Sequence, residues 1–505
     1  MNPVPSCAAT TPADTVPRAA PAQAVNPYLP GPEYVPDAEP YVIDGRVYVY
    51  GSHDRFGAPL FCVNDYVCWS APVDDLGNWR YEGVIYRKRQ DPKNRFGLRL
   101  LFAPDLARGA DGRFYLYYAF DFMGVMGVAV ADSPVGPFEF LGHVRHPDGT
   151  TWGRRAGDSL PFDPGVLVDD DGRVYLYSGF ATPVPAVATG GRRLRSEGGY
   201  VLELEPDMVT IRTAETLLFP KEGEGSFPGH EFFEASSIRK VDGRYVFVYS
   251  SRLNHELCWA VSDRPTGGFR FGGTLVSNGD IGLAGHPDEA HAAGYTGNTH
   301  GGLLQLGDSF YVFYHRQTNR SSYARQACAE RLTRRPDGAF EQAEMTSCGL
   351  NGGPLRGSGR YEARIACALW SAQGTARYDV RGARRHLAAH PYLTQDERDD
   401  APDARQYVAN LRDGATAGYK YFDLRDLSRV AVTVRGTASG QVVVSTDPAG
   451  EQVVARIVCT VTDRTWTTTG AAARAADGPT ALYLTYRGTG SVDLLELELT
   501  AGGDA

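Results

Sequence analysis

The chain is predicted to be all-β, a five-bladed β-propeller followed by an antiparallel β-sandwich, and three observations carry that prediction. A short phrase recurs five times over the first two-thirds: DGRVYVY ending at Tyr50, DGRFYLY at Tyr117, DGRVYLY at Tyr177, DGRYVFVY at Tyr249 and a looser GDSFYVFY at Tyr314. Self-similarity at a period of roughly sixty to seventy residues marks a repeat architecture such as a propeller. An ionisable residue stands seven to nine positions before the glycine of each copy: Asp37, Asp105, Asp163, Glu234 and His300. Helix signals are sparse, and the runs after residue 378 alternate in period two between Gly, Asp and Ser turns.

Residues 1–25 are rich in Ala and Pro and lack both the basic start and the apolar core of a signal peptide, so they are expected to form a flexible leader. Residues 26–345 carry the repeats. Each copy is a turn followed by an alternating aromatic and β-branched run, which reads as one strand of a hairpin. If the strand before each turn is a blade's innermost, the five ionisable side chains start near one axis, at one end of a central channel. The run from Ala324 to Glu344 is expected to supply the outer strands of blade five. Residues 346–377 are too apolar for a solvated tether and read as a connector packed on the propeller. Residues 378–505 hold RVAVTVRG, GQVVVSTD, EQVVARIVCTV and TALYLTYRG, the strands expected of the sandwich.

Composition narrows the function classes. At 505 residues, 42% hydrophobic and 22% charged, the chain has room for more than one globular domain. A net charge of -9 argues against nucleic acid or an anionic membrane as partner and suits a neutral ligand. Eight cysteines, Cys7, Cys62, Cys68, Cys258, Cys328, Cys348, Cys367 and Cys459, show no CxxC spacing, so neither a zinc site nor a disulfide framework is expected. No run approaches the roughly eighteen apolar residues of a membrane helix, and a cytoplasmic address is expected. Oligomeric state is not set by these features.

Five segments then point to a family. PDAEPYVIDGRVYVYGSHD (36–54), LFAPDLARGADGRFYLYYA (101–119), FDPGVLVDDDGRVYLYSG (162–179), HEFFEASSIRKVDGRYVFVYSS (230–251) and GNTHGGLLQLGDSFYVFYHR (297–316) together resemble glycoside hydrolase family 43, in order and over nearly the whole propeller. The C-terminal unit more faintly resembles carbohydrate-binding module family 6. The resemblance implies a five-bladed propeller and an inverting glycosidase acting on arabinofuranosides or xylosides. It implies Asp37 as general base, Glu234 as general acid and Asp163 as a third carboxylate that tunes and orients the acid. Inversion needs one carboxylate to activate water while a protonated carboxyl serves the leaving oxygen across a gap of about 6.5–9.5 Å, which separate blades can provide. Glu234 stays protonated near neutrality only if burial or a nearby negative charge raises it, and Asp163 is expected to supply that charge.

Relatives often have proline directly after the base. Here Asp37 is followed by Ala38, Glu39 and Pro40, so Glu39 rivals it, and the distance to the DGR turn favours Asp37. Asp105 is read as a blade anchor or an acceptor for a sugar hydroxyl. The resemblance also implies that His300 faces calcium or another ion in the channel, often through water, and that Arg316 holds sugar hydroxyls. His53, Phe102 and Phe180 are expected to contact substrate; Phe56, Trp69 and Phe120 are aromatics that serve either stacking or core packing. No organic cofactor is implied.

The expected function is an inverting exo-glycosidase that hydrolyses terminal α-L-arabinofuranosyl or β-D-xylosyl residues of plant-type oligosaccharides. A β-D-galactofuranosidase, differing in pocket room around the exocyclic carbon, and a non-catalytic carbohydrate-binding propeller remain open. A retaining fructosidase would need a motif like NDPNG and a phosphorylase a basic phosphate cluster; neither is evident.

Overall fold

The structure, a computed structural model, describes residues 22–121, 123–378, 384–397 and 404–502. Most of the expected leader, residues 1–21, lies outside the described residues. Of its end, Ala24 is buried and Gln23 is tied to Tyr361 and Arg356 of the C-terminal unit.

Five antiparallel sheets follow one another along the chain, each pairing its strands in sequence order. Blade one holds Glu39–Ile43, Arg46–Tyr50, Tyr66–Pro72 and Arg80–Tyr86; blade two Leu101–Arg108, Phe114–Phe120, Met126–Ala131 and Glu139–His143. Blade three holds Gly165–Val168, Val174–Gly179, Gly198–Leu204 and Thr216–Pro220; blade four Phe232–Val241, Arg244–Ser251, Glu256–Ser262 and Arg270–Ser277. Blade five has three strands, Leu303–Leu306, Ser309–Thr318 and Ser321–Leu332. The five first strands are neighbours around the axis, and those of blades one and five meet to close the ring, with Ala38 bridging Gly301.

The outer side of blade five departs from expectation. Beside Ser321–Leu332 lies the N-terminal segment, where the Tyr28 amide donates to the Ala327 carbonyl (3.3 Å) and Asn26 Oδ1 accepts from the Ala329 amide (3.1 Å). The chain after Leu332 instead crosses to blade four, and Ala343 pairs with Val276. A single run from Ala324 to Glu344 therefore serves two blades.

The repeated phrase is explained by its turns and its tyrosine. Asp44 and Gly45 lie at φ 48° and 77°, Asp242 and Gly243 at 49° and 75°, the two left-handed positions of a type I′ hairpin. In the looser GDS copy Gly307 is left-handed (φ 56°) and Asp308 is not, the pattern of a type II′ turn, which places glycine first. The five tyrosines, Tyr50, Tyr117, Tyr177, Tyr249 and Tyr314, are all buried. Three of them reach the next blade at the same place, the loop between its third and fourth strands: Tyr50 donates to Pro134 O (2.7 Å), Tyr117 to Met208 O (2.7 Å) and Tyr177 to Pro265 O (2.6 Å). The repeat thus encodes a staple between neighbouring blades as well as a strand.

Among the described residues the C-terminal unit joins ten strands into one hydrogen-bonded sheet around a large apolar core, with a smaller cluster at Tyr407, Ala409 and Leu495. Residues 346–377, expected as a connector, contribute three of those strands, Leu355–Arg356, Gly359–Glu362 and Ala368–Trp370. RVAVTVRG and GQVVVSTD, expected as two strands, are one, Leu427–Ser445, bent at Gly436 (φ 139°) and paired along its length with Gly478–Ala501. The seven described cysteines are unpaired. Among the described residues no helix is long and apolar enough to cross a membrane.

Candidate active site

A pocket of about 300 Å³ opens at one end of the channel, and four of the five phased residues line it: Asp37, Asp163, Glu234 and His300. Aromatic walls come from Phe61, Phe102, Phe162, Phe180, Phe233 and Tyr323, and polar groups from Asn254, Asn298, Ser322 and Arg325. A concave site with apolar walls and a few converging polar groups is the usual form of a small-ligand site.

Backbone conformation aims the carboxylates. Asp37 and Asp163 both lie in the left-handed region (φ 59° and 46°), which Asp tolerates better than most side chains. Glu234 sits where the first strand of blade four slips register on both sides, and Ala235 after it has φ 69°. Such a bulge re-aims the side chain beside it. Asp163 Oδ2 accepts from the Ala235 amide at 3.0 Å, so one carboxylate pins the bulge that carries the other.

Charges in the pocket are divided. Burial pushes the Asp37 carboxyl up, yet Arg325 overrides it and, with His315 and His300, holds it far below the usual carboxylate range. Arg325 Nη1 lies 2.8 Å and His315 Nδ1 3.2 Å from Asp37 Oδ1. The same guanidinium holds both oxygens of Asp54, at 2.8 and 3.0 Å, and stacks 4.7 Å from the Phe61 ring centre. Burial, and then the negative charge of Asp37, raise Glu234 to about 8. Asp163 is also pushed up, by burial first and then by Glu234 and Asp37, so Glu234 and Asp163 repel one another and the charge of Asp37 adds to the burial of both. His300 Nδ1 lies 3.6 Å from Asp163 and 3.9 Å from Asp37, and burial lowers it to about 4, leaving it neutral near neutrality.

Glu39 and Asp105 do not line the pocket. Glu39 pairs with Arg239 and accepts from Ser237 (3.0 Å). Asp105 accepts from Tyr41 and from the Val166 amide of the next blade (2.7 Å), a blade anchor. Phe102 and Phe180 stand in the pocket wall, each tilted against Phe162. His53 is not in the wall; its Nδ1 lies 2.9 Å from the Asp65 carbonyl. Trp69 and Phe120 belong to blade cores, and Phe56 packs on Tyr34.

Arg316 is elsewhere as well. Its guanidinium donates to the carbonyls of Ala366 and Arg364 (2.6 Å) and to Gln326 (3.1 Å), at the junction with the C-terminal unit. Strand alternation gives the reason: Arg316 and its cross-strand partner Gln326 share one face, and His315, Gln317 and Arg325 the other. The arginine in the pocket is Arg325, on the following strand and directly opposite Gln317, a pairing that no spacing along the sequence reports.

His300 does not sit in a set that fits directly bound calcium, which takes about six to eight oxygens. Among the described residues only His230, Glu256 and Cys258 bring three potential ligand atoms within 4.8 Å of one another, and they lie outside the pocket. Near His300 the Asp37 oxygen is taken by Arg325 and the Asp163 oxygen by the Ala235 amide.

Comparison with known proteins bears on the family and the fold. A xylosidase/arabinosidase of Thermoclostridium stercorarium is 47% identical over 481 residues, 94% of this chain and 99% of that protein. An arabinoxylan arabinofuranohydrolase of Paenibacillus polymyxa is 27% identical over 91% of this chain and 72% of its own. The fold is that of a crystal structure of a family 43 arabinoxylan arabinofuranohydrolase from Bacillus subtilis in complex with cellotetraose, matched over 95% of this chain and 99% of that one with a TM-score of 0.50 at 22% identity. Residues 26–340, the propeller with its pocket, match glycosyl hydrolases family 43, and the chain belongs to that family.

Proposed function

We propose that the protein is an inverting exo-glycosidase releasing terminal α-L-arabinofuranosyl or β-D-xylosyl residues, with Asp37 as general base, Glu234 as general acid and Asp163 positioning the acid. The observation that carries the reading is the division of charge within one pocket: Asp37 is held ionised by Arg325 while Glu234, raised to about 8, keeps its proton near neutrality. Inversion uses such a pair, one carboxylate drawing a proton from water and one carboxyl giving a proton to the leaving oxygen. Each role contributes on the order of 10²–10⁴ in rate. A binding-only propeller gains nothing from a proton held on one carboxyl and withheld from another.

The pocket's size and its phenyl walls suit a terminal sugar ring, with Asn254, Asn298 and Ser322 as hydroxyl partners. The xylosidase/arabinosidase at 47% identity supports the choice of pentose.

The test is hydrolysis of nitrophenyl α-L-arabinofuranoside, β-D-xylopyranoside and β-D-galactofuranoside by wild type and Glu234→Gln, with the anomer of the first-formed sugar read by proton NMR. Release of one pentose with inverted configuration, lowered by up to about 10²–10⁴ in the variant, is expected. Release of galactose alone moves the specificity to the hexofuranoside, retention removes Asp37 as base, and a folded wild type silent on all three leaves a binding protein.

A further inference from the structure

Every residue lining the pocket belongs to the propeller, yet one wall of it is gripped from outside by the C-terminal unit. The hairpin between Ser309–Thr318 and Ser321–Leu332 turns at Asn319 and Arg320 (φ 52° and 49°) and then delivers Ser322, Tyr323 and Arg325 to the pocket. Its tip is held by Tyr392–Gln395, an edge strand of the C-terminal sheet. The Asn319 amide donates to Leu393 O (2.7 Å), Thr394 Oγ1 donates to Asn319 Oδ1 (3.1 Å), and the Arg320 guanidinium lies 4.1 Å from the Tyr392 ring centre.

A second grip lies behind the base. Tyr34, three residues before Asp37, donates to Gln395 Oε1 (2.7 Å) and accepts from Gln406 Nε2 (2.7 Å); Gln326, next to Arg325, donates to Gln406 Oε1 (2.6 Å). The Tyr34 carbonyl accepts from the amide of Asp54, the second carboxylate on Arg325 (2.9 Å). Tyr34, Gln326, Gln395 and Gln406 are all at most 5% exposed, so each relies on the others for hydrogen bonds water does not supply.

We propose that Tyr392–Gln395 together with Gln406 is a positioning element for the reaction: it keeps Arg325 seated on Asp37 and keeps the Ser322–Tyr323 wall in place. The C-terminal unit is then part of the catalytic apparatus rather than an appendage. This rests on Asp37 being the base.

Two kinds of variant in the full chain separate the grips. Gln406→Met removes the hydrogen bonds behind the base at nearly constant volume and is expected to lower kcat about ten-fold with KM little changed, because a misplaced catalytic group costs rate. Thr394→Val frees the hairpin tip and is expected to raise KM several-fold with kcat little changed, while Thr394→Ser, which keeps the hydroxyl, behaves as wild type. Hydrogen exchange without substrate, read by mass spectrometry, should quicken over residues 34–37 in the first variant and 319–325 in the second. This readout stands even if no tested glycoside is cleaved, so failure of the proposed activity is distinguishable from failure of the brace. If Gln406→Met does not fold, Thr394→Val and Tyr392→Leu carry the test. Folded variants with wild-type exchange in both segments and wild-type kcat and KM, or losses that only track the folded fraction, overturn the proposal.

Discussion

Arg325 decides which carboxylate of the pocket carries charge. It is buried and donates to Asp37 and to both oxygens of Asp54, so Arg325→Met strands two buried anions. Removing one partner of a buried ion pair costs about 3–5 kcal/mol, and a fall of that order in unfolding free energy, with loss of activity, is expected in denaturant titrations. Glu234 gives a prediction with a sign. Its carboxyl ordinarily titrates at 4.5 and here at about 8, so the folded state holds a proton that the unfolded chain releases at lower pH. The stability tied to that proton is fully present below 4.5 and is lost as pH rises through about 8. Glu234→Gln, with nothing to ionise, should therefore melt above wild type near pH 9 and level with it near pH 4, while hydrolysis falls by about 10²–10⁴. Wild-type kcat/KM should decline as pH rises through about 8, as a joint titration of Glu234 and Asp163. A melting curve for Glu234→Gln that follows wild type at every pH would remove the raised carboxyl from the account. Asp37, Asp163, Glu234 and His300 were legible in sequence because each stands seven to nine positions before the glycine of its hairpin turn, a spacing that Asp105 shares without reaching the pocket. Arg325 was not, because it reaches the pocket across a hairpin whose register no linear spacing reports, and Arg316, one position off that face, took its place.

Blade cohesion depends on elements that the repeated phrase encodes twice. The turn residues need left-handed backbone: Gly243 lies at φ 75°, and alanine in that region costs about 1–2 kcal/mol, so Gly243→Ala should lower Tm without touching the pocket. The tyrosine carries the staple. Tyr177→Phe keeps the ring in its core and deletes the bond to Pro265 O, and a loss of about 1 kcal/mol is expected, measured by thermal melts beside Tyr175→Phe as a control on the same strand. Equal melting of the two variants would mean that the staple between blades three and four adds nothing. The strand, the turn and the five-fold count were all readable because hairpins are local. The partner of each tyrosine was not, since Pro134, Met208 and Pro265 lie 84, 91 and 88 residues away with no shared phrase. Residues 346–377 misled for a related reason: Leu355–Arg356 and Ala368–Trp370 are too short to show alternation and become strands only by pairing with Thr416–Leu424.

The two units are joined through charge placed where water does not reach. Lys420 is 3% exposed and its ammonium lies 2.7 Å from Asp280, itself fully buried in the propeller, and 2.9 Å from Glu344. Tyr421 adds a bond to the same Glu344 (2.7 Å), and Arg364 reaches back to the carbonyls of Pro27 and Leu29. A junction of this kind makes the propeller's Asp280 depend on the C-terminal unit for its counter-charge, so the units should unfold in one calorimetric transition. Lys420→Met removes the ammonium while keeping the stem. Burial already pushes the Asp280 carboxyl up against the pull of Lys420, and without that pull it rises further. The gap from wild type therefore opens as pH rises past the already raised wild-type titration, where the wild-type carboxyl ionises and the variant's still holds its proton. The gap in Tm between wild type and Lys420→Met should accordingly widen as pH rises above the ordinary carboxylate range, reaching the equivalent of about 3–5 kcal/mol, and the single transition should split. Lys420→Met with Asp280→Leu removes both buried charges and should recover most of the loss, because a buried pair is dear to break and cheap to replace. A pH-independent gap, or a double variant no better than the single, would show that Lys420 holds the units together by packing and not by its charge.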